Sequence, residues 1–325
     1  MTTVDVPILA LEIASLFDLI PESIRASTQP ERLRALDDAL AVIAGSDVGL
    51  LVVGDSFVDG NVAASLDAGL SLAYVAGRFP ELGLVVSTDI AFVEPFNVAR
   101  VLQTIDYANG GGVAWAPRIH AEEREFAAVG LRGRRVDADA RFRFAEEFIG
   151  VVRGLWDTWE DGAITRDVAR GRYLDPDLVH YLHHDGEFFS VRGPGLTPRS
   201  PQGRPPILLP ASGGDLEAQE LAERRADVIV VERPLDGQTD APRGFAQPVL
   251  QRVSASRLAR EPGLAEAPNA AGLIIDLQGD DSAFDLWRRE LAGLAGRKRM
   301  RGETLLSLLG LPEYWATAPL AGARG

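Results

Sequence analysis

Short apolar, β-branched runs recur along the chain at residues 4–9, 48–53, 82–87, 112–116, 207–209, 227–231, 248–253 and 272–277. Most are continuous rather than alternating, which is the pattern of strands buried on both faces. Helical periodicity lies between several of them. Phe144, Phe148, Val151 and Leu155 form one apolar stripe, with Arg143, Glu146, Glu147 and Arg153 largely off it. Leu33, Leu36, Leu40 and Ile43 repeat that geometry. Strand alternating with helix implies parallel pairing through right-handed crossovers. Eight candidate strands predict an α/β chain closed into a (β/α)₈ barrel.

Two stretches break the alternation. From Glu160 to Pro206 the chain is rich in Gly, Pro, Asp and His, with Phe188 and Phe189 adjacent. That is too long for an ordinary connection and predicts an elaborated loop or small hairpin on one rim. From Glu232 to Gln247, Pro234, Gly237, Pro242 and Gly244 forbid the helix that the alternation requires, so one barrel helix is expected to be missing. The organisation read from this pattern is one barrel domain over residues 1–315, a rim insertion at about 160–206, and a loose tail at 316–325.

Composition narrows the chemistry. A chain of 325 residues, 46% of them hydrophobic, can bury a core without covalent staples, and the absence of cysteine excludes disulfides, thiolate metal sites and cysteine nucleophiles. A formal charge of −14 argues against nucleic acid and anionic membranes as partners. The local basic groups Arg132, Arg134, Arg135 and Arg297, Lys298, Arg299 read as solvated surface. No run approaches the ~20 apolar residues of a membrane span. The first residues lack a basic region ahead of their apolar stretch and carry Asp5 and Glu12, so a signal peptide is not expected and the cytoplasm is.

Several longer runs carry a resemblance. Asp55 follows the second strand in VVGDSF; EPFNVARVLQTIDYANGGGVAW runs from Glu94 to Trp115, and RFRFAEEFIGVVRGLWDTWEDGA from Arg141 to Ala163. DPDLVHYLHHDGEFFSVRGP, PRSPQGRPPILLPAS and, near the end, RGETLLSLLGLP follow in order. Together these resemble the luciferase-like flavin monooxygenases, in the branch of the nitrilotriacetate and dibenzothiophene-sulfone enzymes. The resemblance implies a homodimeric barrel that binds reduced FMN at the C-terminal ends of its strands. It also implies a separate flavin reductase and a C4a-hydroperoxide that transfers one oxygen atom from O₂ to a small organic substrate. Water must then be kept from the site.

The same resemblance assigns flavin contacts to Asp55, to Ser87 at the end of the third strand, and to Ser212, Gly213 and Gly214, a loop whose free N–H groups would hold the phosphate at a helix start. It names no catalytic side chain. The family's opening active-site motif is absent from LALEIASLFDLIPESI. Ala116 and Pro117 stand where the family has an amide and a further backbone donor, and Phe142 where it has a tyrosine. Asp215 falls at the helix start, where its carboxylate would cap the N–H groups that a phosphate needs; Arg224, Arg225 or an arginine of the rim insertion could supply a compensating cation. Asp55 also reads as a strand-end turn residue, and the glycine pair as a tight turn capped by Asp215.

His180, His183 and His184 have the look of a metal cluster, but no metal is expected in a segment whose family counterpart carries histidines without one. His120 reads equally as a pocket or surface residue, Trp156 and Trp159 as packing anchors, and Glu122, Glu123 and Glu125 as a solvated run. Two alternatives stay open: a flavin-free homologue acting as a binding partner, and a barrel using the deazaflavin F420, for which no basic groove is apparent.

Overall fold

The computed structural model describes residues 6–54, 66–119, 138–211, 215–232, 245–265, 270–278, 282–300 and 302–313. Eight strands lie parallel in one sheet: β1 (Ile8–Ile13), β2 (Leu50–Val53), β3 (Gly83–Asp89), β4 (Val113–Arg118), β9 (Leu208–Pro210), β10 (Val228–Glu232), β11 (Val249–Ser254) and β12 (Gly272–Asp276). Their order, β4-β3-β2-β1-β12-β11-β10-β9, leaves β4 and β9 as the ends. A parallel bridge between Trp115 and Ile207 joins those ends, with the Trp115 N–H donating to Pro206 O at 2.9 Å. The sheet is thus a barrel with one thin seam.

All eight sequence-predicted strands are present. The first is displaced, spanning Ile8–Ile13 instead of 4–9. Glu12 is buried within it, its charge met by Arg252 of β11, whose Nη2 donates to Glu12 Oε1 at 3.0 Å and whose Nε lies 2.7 Å from Oε2. The approach of β1 to β12 depends on Gly272, where a Cβ would run into the Ile8 carbonyl.

Alternate residues serve two cores, as the two-residue period of a strand requires. Ile8, Ala10, Leu50, Val52, Val85 and Ala114 fill the interior. Leu11, Val53, Leu84, Trp115 and Ile229 face outward onto the helices. These include α1 (Glu22–Arg25), α2 (Gln29–Gly45), α3 (Ala68–Arg78), α4 (Pro95–Asn109), α5 (Arg141–Trp156), α6 (Leu216–Arg225), α7 (Ala255–Arg260) and α8 (Ala283–Leu286). A short α9 (Leu305–Leu308) closes the N-terminal end of the barrel: Leu305 donates to Gly111 O at 2.7 Å, and its side chain joins the interior core. Phe148, Val151 and Leu155 of α5 are buried as their spacing predicts. On α2, Leu36, Leu40 and Ile43 are buried, but Leu33, near the start of the helix, is exposed.

The segment between α5 and β9 contains two small antiparallel pairs, β5 (Ile164–Asp167) with β6 (Arg172–Leu174) and β7 (His184–Asp185) with β8 (Ser190–Val191). Glu147 of α5 holds the second pair. Its carboxylate accepts the backbone N–H groups of Glu187, Phe188 and Phe189 and lies 3.0 Å from His184 Nε2, which keeps its pKa below the usual range despite partial burial. Phe188 and Phe189 pack on Phe144. Trp156 anchors α5 to α4 through Ala99 O at 3.0 Å, and Trp159 donates to Gly195 O at 2.7 Å.

Arg299 corrects the reading of 297–299 as solvated surface. It is buried beneath the barrel, donates to the carbonyls of Asn109 and Pro80, and fills space that any side chain at Gly112 would occupy. Its neighbour Asp106 is fully buried and accepts from Val113 N–H at 2.8 Å and Gln202 Nε2 at 2.6 Å. Burial, only partly offset by these bonds and by Arg299, lifts the Asp106 pKa to about 7. A run of three cations looks solvated in sequence; only the fold brings carbonyls and a carboxyl to one of them. Arg132, Arg134, Arg135, the tail and, within the stretch 232–247 expected to lack a helix, residues 233–244 lie outside the described residues.

Candidate functional site at the C-terminal mouth

The C-terminal ends of the strands are the polar end of the barrel interior. Continuing inward from the apolar layers, the two-residue period places Glu12, Ser87, Asp89, Arg118, Glu232, Arg252 and Asp276 around the mouth. Arg252 sits among carboxylates, bonded to Glu12 and, at 2.9 Å, to Glu232. Burial raises the Glu12 pKa more than Arg252 lowers it, and burial likewise raises that of Asp276. Arg118 faces Asp89 at 3.5 Å, and Ser87 is buried opposite Ala116 in the register.

The seam beside this mouth opens for a covalent reason. In parallel pairing, alternate residues of a strand direct their backbone groups to opposite neighbours. Trp115 bonds to β9, so the next donor of β4 on that side would be residue 117; Pro206 bonds to β4, so a further donor of β9 on that side would be residue 210. Both are proline and neither has an N–H. The ladder therefore stops after one bridge, and the strands part toward the C-terminal end.

A partly open cavity of about 280 Å³ lies there, lined by Ile119, Arg141, Phe142, Leu209, Pro210, Asp215, Ala218 and Leu221. It is near the lower end of the roughly 300–1,000 Å³ of small-molecule sites. Its walls are mostly apolar, with one cation and one anion. Arg141 lies with its guanidinium 4.5 Å from the centre of the Phe142 ring and donates to Asp215 Oδ2 at 2.9 Å. The other oxygen, Oδ1, caps α6 by accepting the Ala218 N–H at 3.1 Å.

These observations locate the sequence-predicted residues. Ser87 is at the mouth. Ala116 and Pro117 lie on the β4 side of the seam, and Phe142 lines the cavity as a platform for Arg141. Asp215 is the helix cap that its position in the sequence implied. Asp55, Ser212, Gly213, Gly214, His120, Glu122, Glu123 and Glu125 lie outside the described residues. Arg224 and Arg225 both turn to Glu146 instead of toward the cavity. His180 pairs with Glu160 and His184 with Glu147, so these two imidazoles have separate partners.

Arg141 and Pro210 were not singled out by sequence. The signals were available: an arginine opening α5, and a proline ending a strand whose neighbour also ends near a proline. For a flavin, the fit is divided. The apolar walls suit a ring, whereas the start of α6, already holding a carboxylate, does not suit a phosphate dianion.

A parallel (β/α)₈ barrel with a polar mouth and a cavity at its C-terminal face is the architecture on which barrel enzymes place their active sites. The chain matches the family described as luciferase-like monooxygenase over residues 50–243, more than half of its length, and it belongs to that family. It is 36% identical over 167 residues to the dibenzothiophene-sulfone monooxygenase of Rhodococcus erythropolis, covering 49% of this chain and 37% of that protein. It is 39% identical over 158 residues to nitrilotriacetate monooxygenase component A of Aminobacter aminovorans, covering 49% of this chain and 34% of that protein. These matches thus span little more than a third of either relative. The EDTA monooxygenase from Chelativorans sp. BNC1 superposes with a TM-score of 0.68 over 95% of this chain and 99% of its own; at 19% identity the likeness is one of fold.

Proposed function

We propose that the protein is a flavin-dependent monooxygenase acting on a small organic substrate, with reduced flavin delivered by a separate reductase. Family membership over more than half the chain carries this reading, and the seam cavity at the catalytic face of the barrel supports it. A reduced flavin supplies the electrons with which O₂ is activated and one oxygen atom is inserted into substrate. The chain's contribution is enclosure and orientation. Leu209, Leu221, Ile119 and Phe142 offer walls that exclude water. Ser87 and the Asp89–Arg118 pair present fixed polar groups at the mouth. Asp55 and residues 212–214 belong to this proposal through the resemblance alone, as does a homodimer.

Anaerobic titration with reduced flavin, followed by oxygen uptake in the presence of candidate substrates, tests the reading. Saturable binding and substrate-dependent uptake are expected. No binding of any flavin at high micromolar concentration would overturn it in favour of a non-catalytic binding protein.

A further inference from the structure

We propose that the Arg141–Asp215 pair selects the tail of the bound flavin, favouring an uncharged polyol such as that of riboflavin over the phosphate dianion of FMN. This rests on the flavin reading above and refines it. A phosphate needs unclaimed N–H donors and a net positive surrounding. Among the described residues, the start of α6 has its Ala218 N–H already taken and the cavity lining carries no net positive charge. Asp215 Oδ1 takes the Ala218 N–H, and its negative charge cancels the partial positive charge of the helix end. Arg141 is the one cation among the described residues lining the cavity, and its Nη2 is committed to Asp215 Oδ2 at 2.9 Å.

The described lining therefore carries one charge of each sign. A dianion entering it would compete with Asp215 for the guanidinium and the helix amide while meeting the carboxylate at close range. Among the described residues, nearby charges do not relieve this. Arg224 and Arg225 bond Glu146, Arg143 bonds Glu187, and Glu217 adds a further acid to the first turn of α6. A hydroxylated, uncharged tail meets the same groups differently. Its O–H groups donate to the Asp215 carboxylate and its oxygens accept from Arg141, so the ion pair need not be broken. Asp215 is therefore assigned a role in specificity in addition to ending a helix.

The test is anaerobic titration of the full chain with reduced riboflavin and reduced FMN, read by absorbance or calorimetry. Riboflavin is expected to bind at least about tenfold more tightly than FMN. Raising salt from about 0.05 to about 0.5 M should narrow that ratio, because screening weakens the repulsion. Asp215→Asn keeps an acceptor for the Ala218 N–H and removes the charge. It should tighten FMN about tenfold or more and leave riboflavin within about threefold. FMN binding as tightly as riboflavin, or a ratio that Asp215→Asn leaves unmoved, overturns the proposal and leaves the flavin reading intact. Failure of both flavins to bind removes both. If the variant does not fold, the wild-type ratio and its salt dependence decide the matter.

Discussion

Arg252 on β11 reaches across β12 to grip Glu12 on β1, with Nε 2.7 Å from Oε2 and Nη2 3.0 Å from Oε1. The tie links non-adjacent strands across the mouth, and the carboxylate it serves is buried. Removing the cation should cost more than the pair itself contributes, since a charge would be left behind without a partner. Arg252→Ala is expected to destabilise the fold by about 3 kcal/mol, at the lower end for buried pairs because Arg252 is partly exposed. The double variant Glu12→Gln with Arg252→Met should recover at least half of that loss. Urea unfolding at neutral pH checks both; equal losses in the two would refute the explanation.

Asp106 sets a pH dependence. Its folded pKa is raised to about 7 from a reference of 3.8, so folding favours its protonated form. The associated stability is present below the reference value and is lost as pH rises through about 7. Relative to Asp106→Asn, the wild type should lose on the order of a few kcal/mol between about pH 4 and pH 8. Denaturant midpoints of the two proteins measured across that range should diverge as pH rises, and parallel curves would contradict the assignment.

Pro117 makes the seam testable at a single atom. Pro117→Val supplies a backbone N–H directed toward β9. One added hydrogen bond and the added freedom of the unfolded chain nearly cancel, so stability should change by less than about 1 kcal/mol. The new amide at 117 should exchange slowly with solvent. Rapid exchange there would mean that the seam is parted by something other than the missing donor.

Glu147 should act as a clamp on the β7–β8 turn. Glu147→Ala removes the acceptor for three backbone N–H groups and the partner of His184. A loss of about 2–3 kcal/mol is expected, together with faster proteolysis near residues 184–191. Unchanged cleavage in that segment would argue that the phenylalanine contacts alone hold it.

Much of the architecture was legible because burial on both faces leaves a direct trace in the chain. Eight apolar runs, most of them continuous, predicted eight parallel strands, and the displaced β1 shows the limit of that signal. An internal glutamate argues against a strand until its partner, 240 residues away, is known. The candidate site was less legible. Asp215 as a helix cap follows from local chemistry, whereas its pairing with Arg141 joins positions 74 residues apart.

By itself the sequence determined the period of its strands, the helix cap at Asp215, and the two prolines that cannot donate. These are properties of a residue and its immediate neighbours. Only the tertiary structure decided that Pro117 and Pro210 flank one seam, that Arg141 closes on Asp215 beside it, and that Arg299 is buried under the barrel. The physical reason is that closing a barrel brings the first and last elements of the sheet order together. Charge, burial and hydrogen-bond supply at that junction depend on chain segments that no local pattern connects.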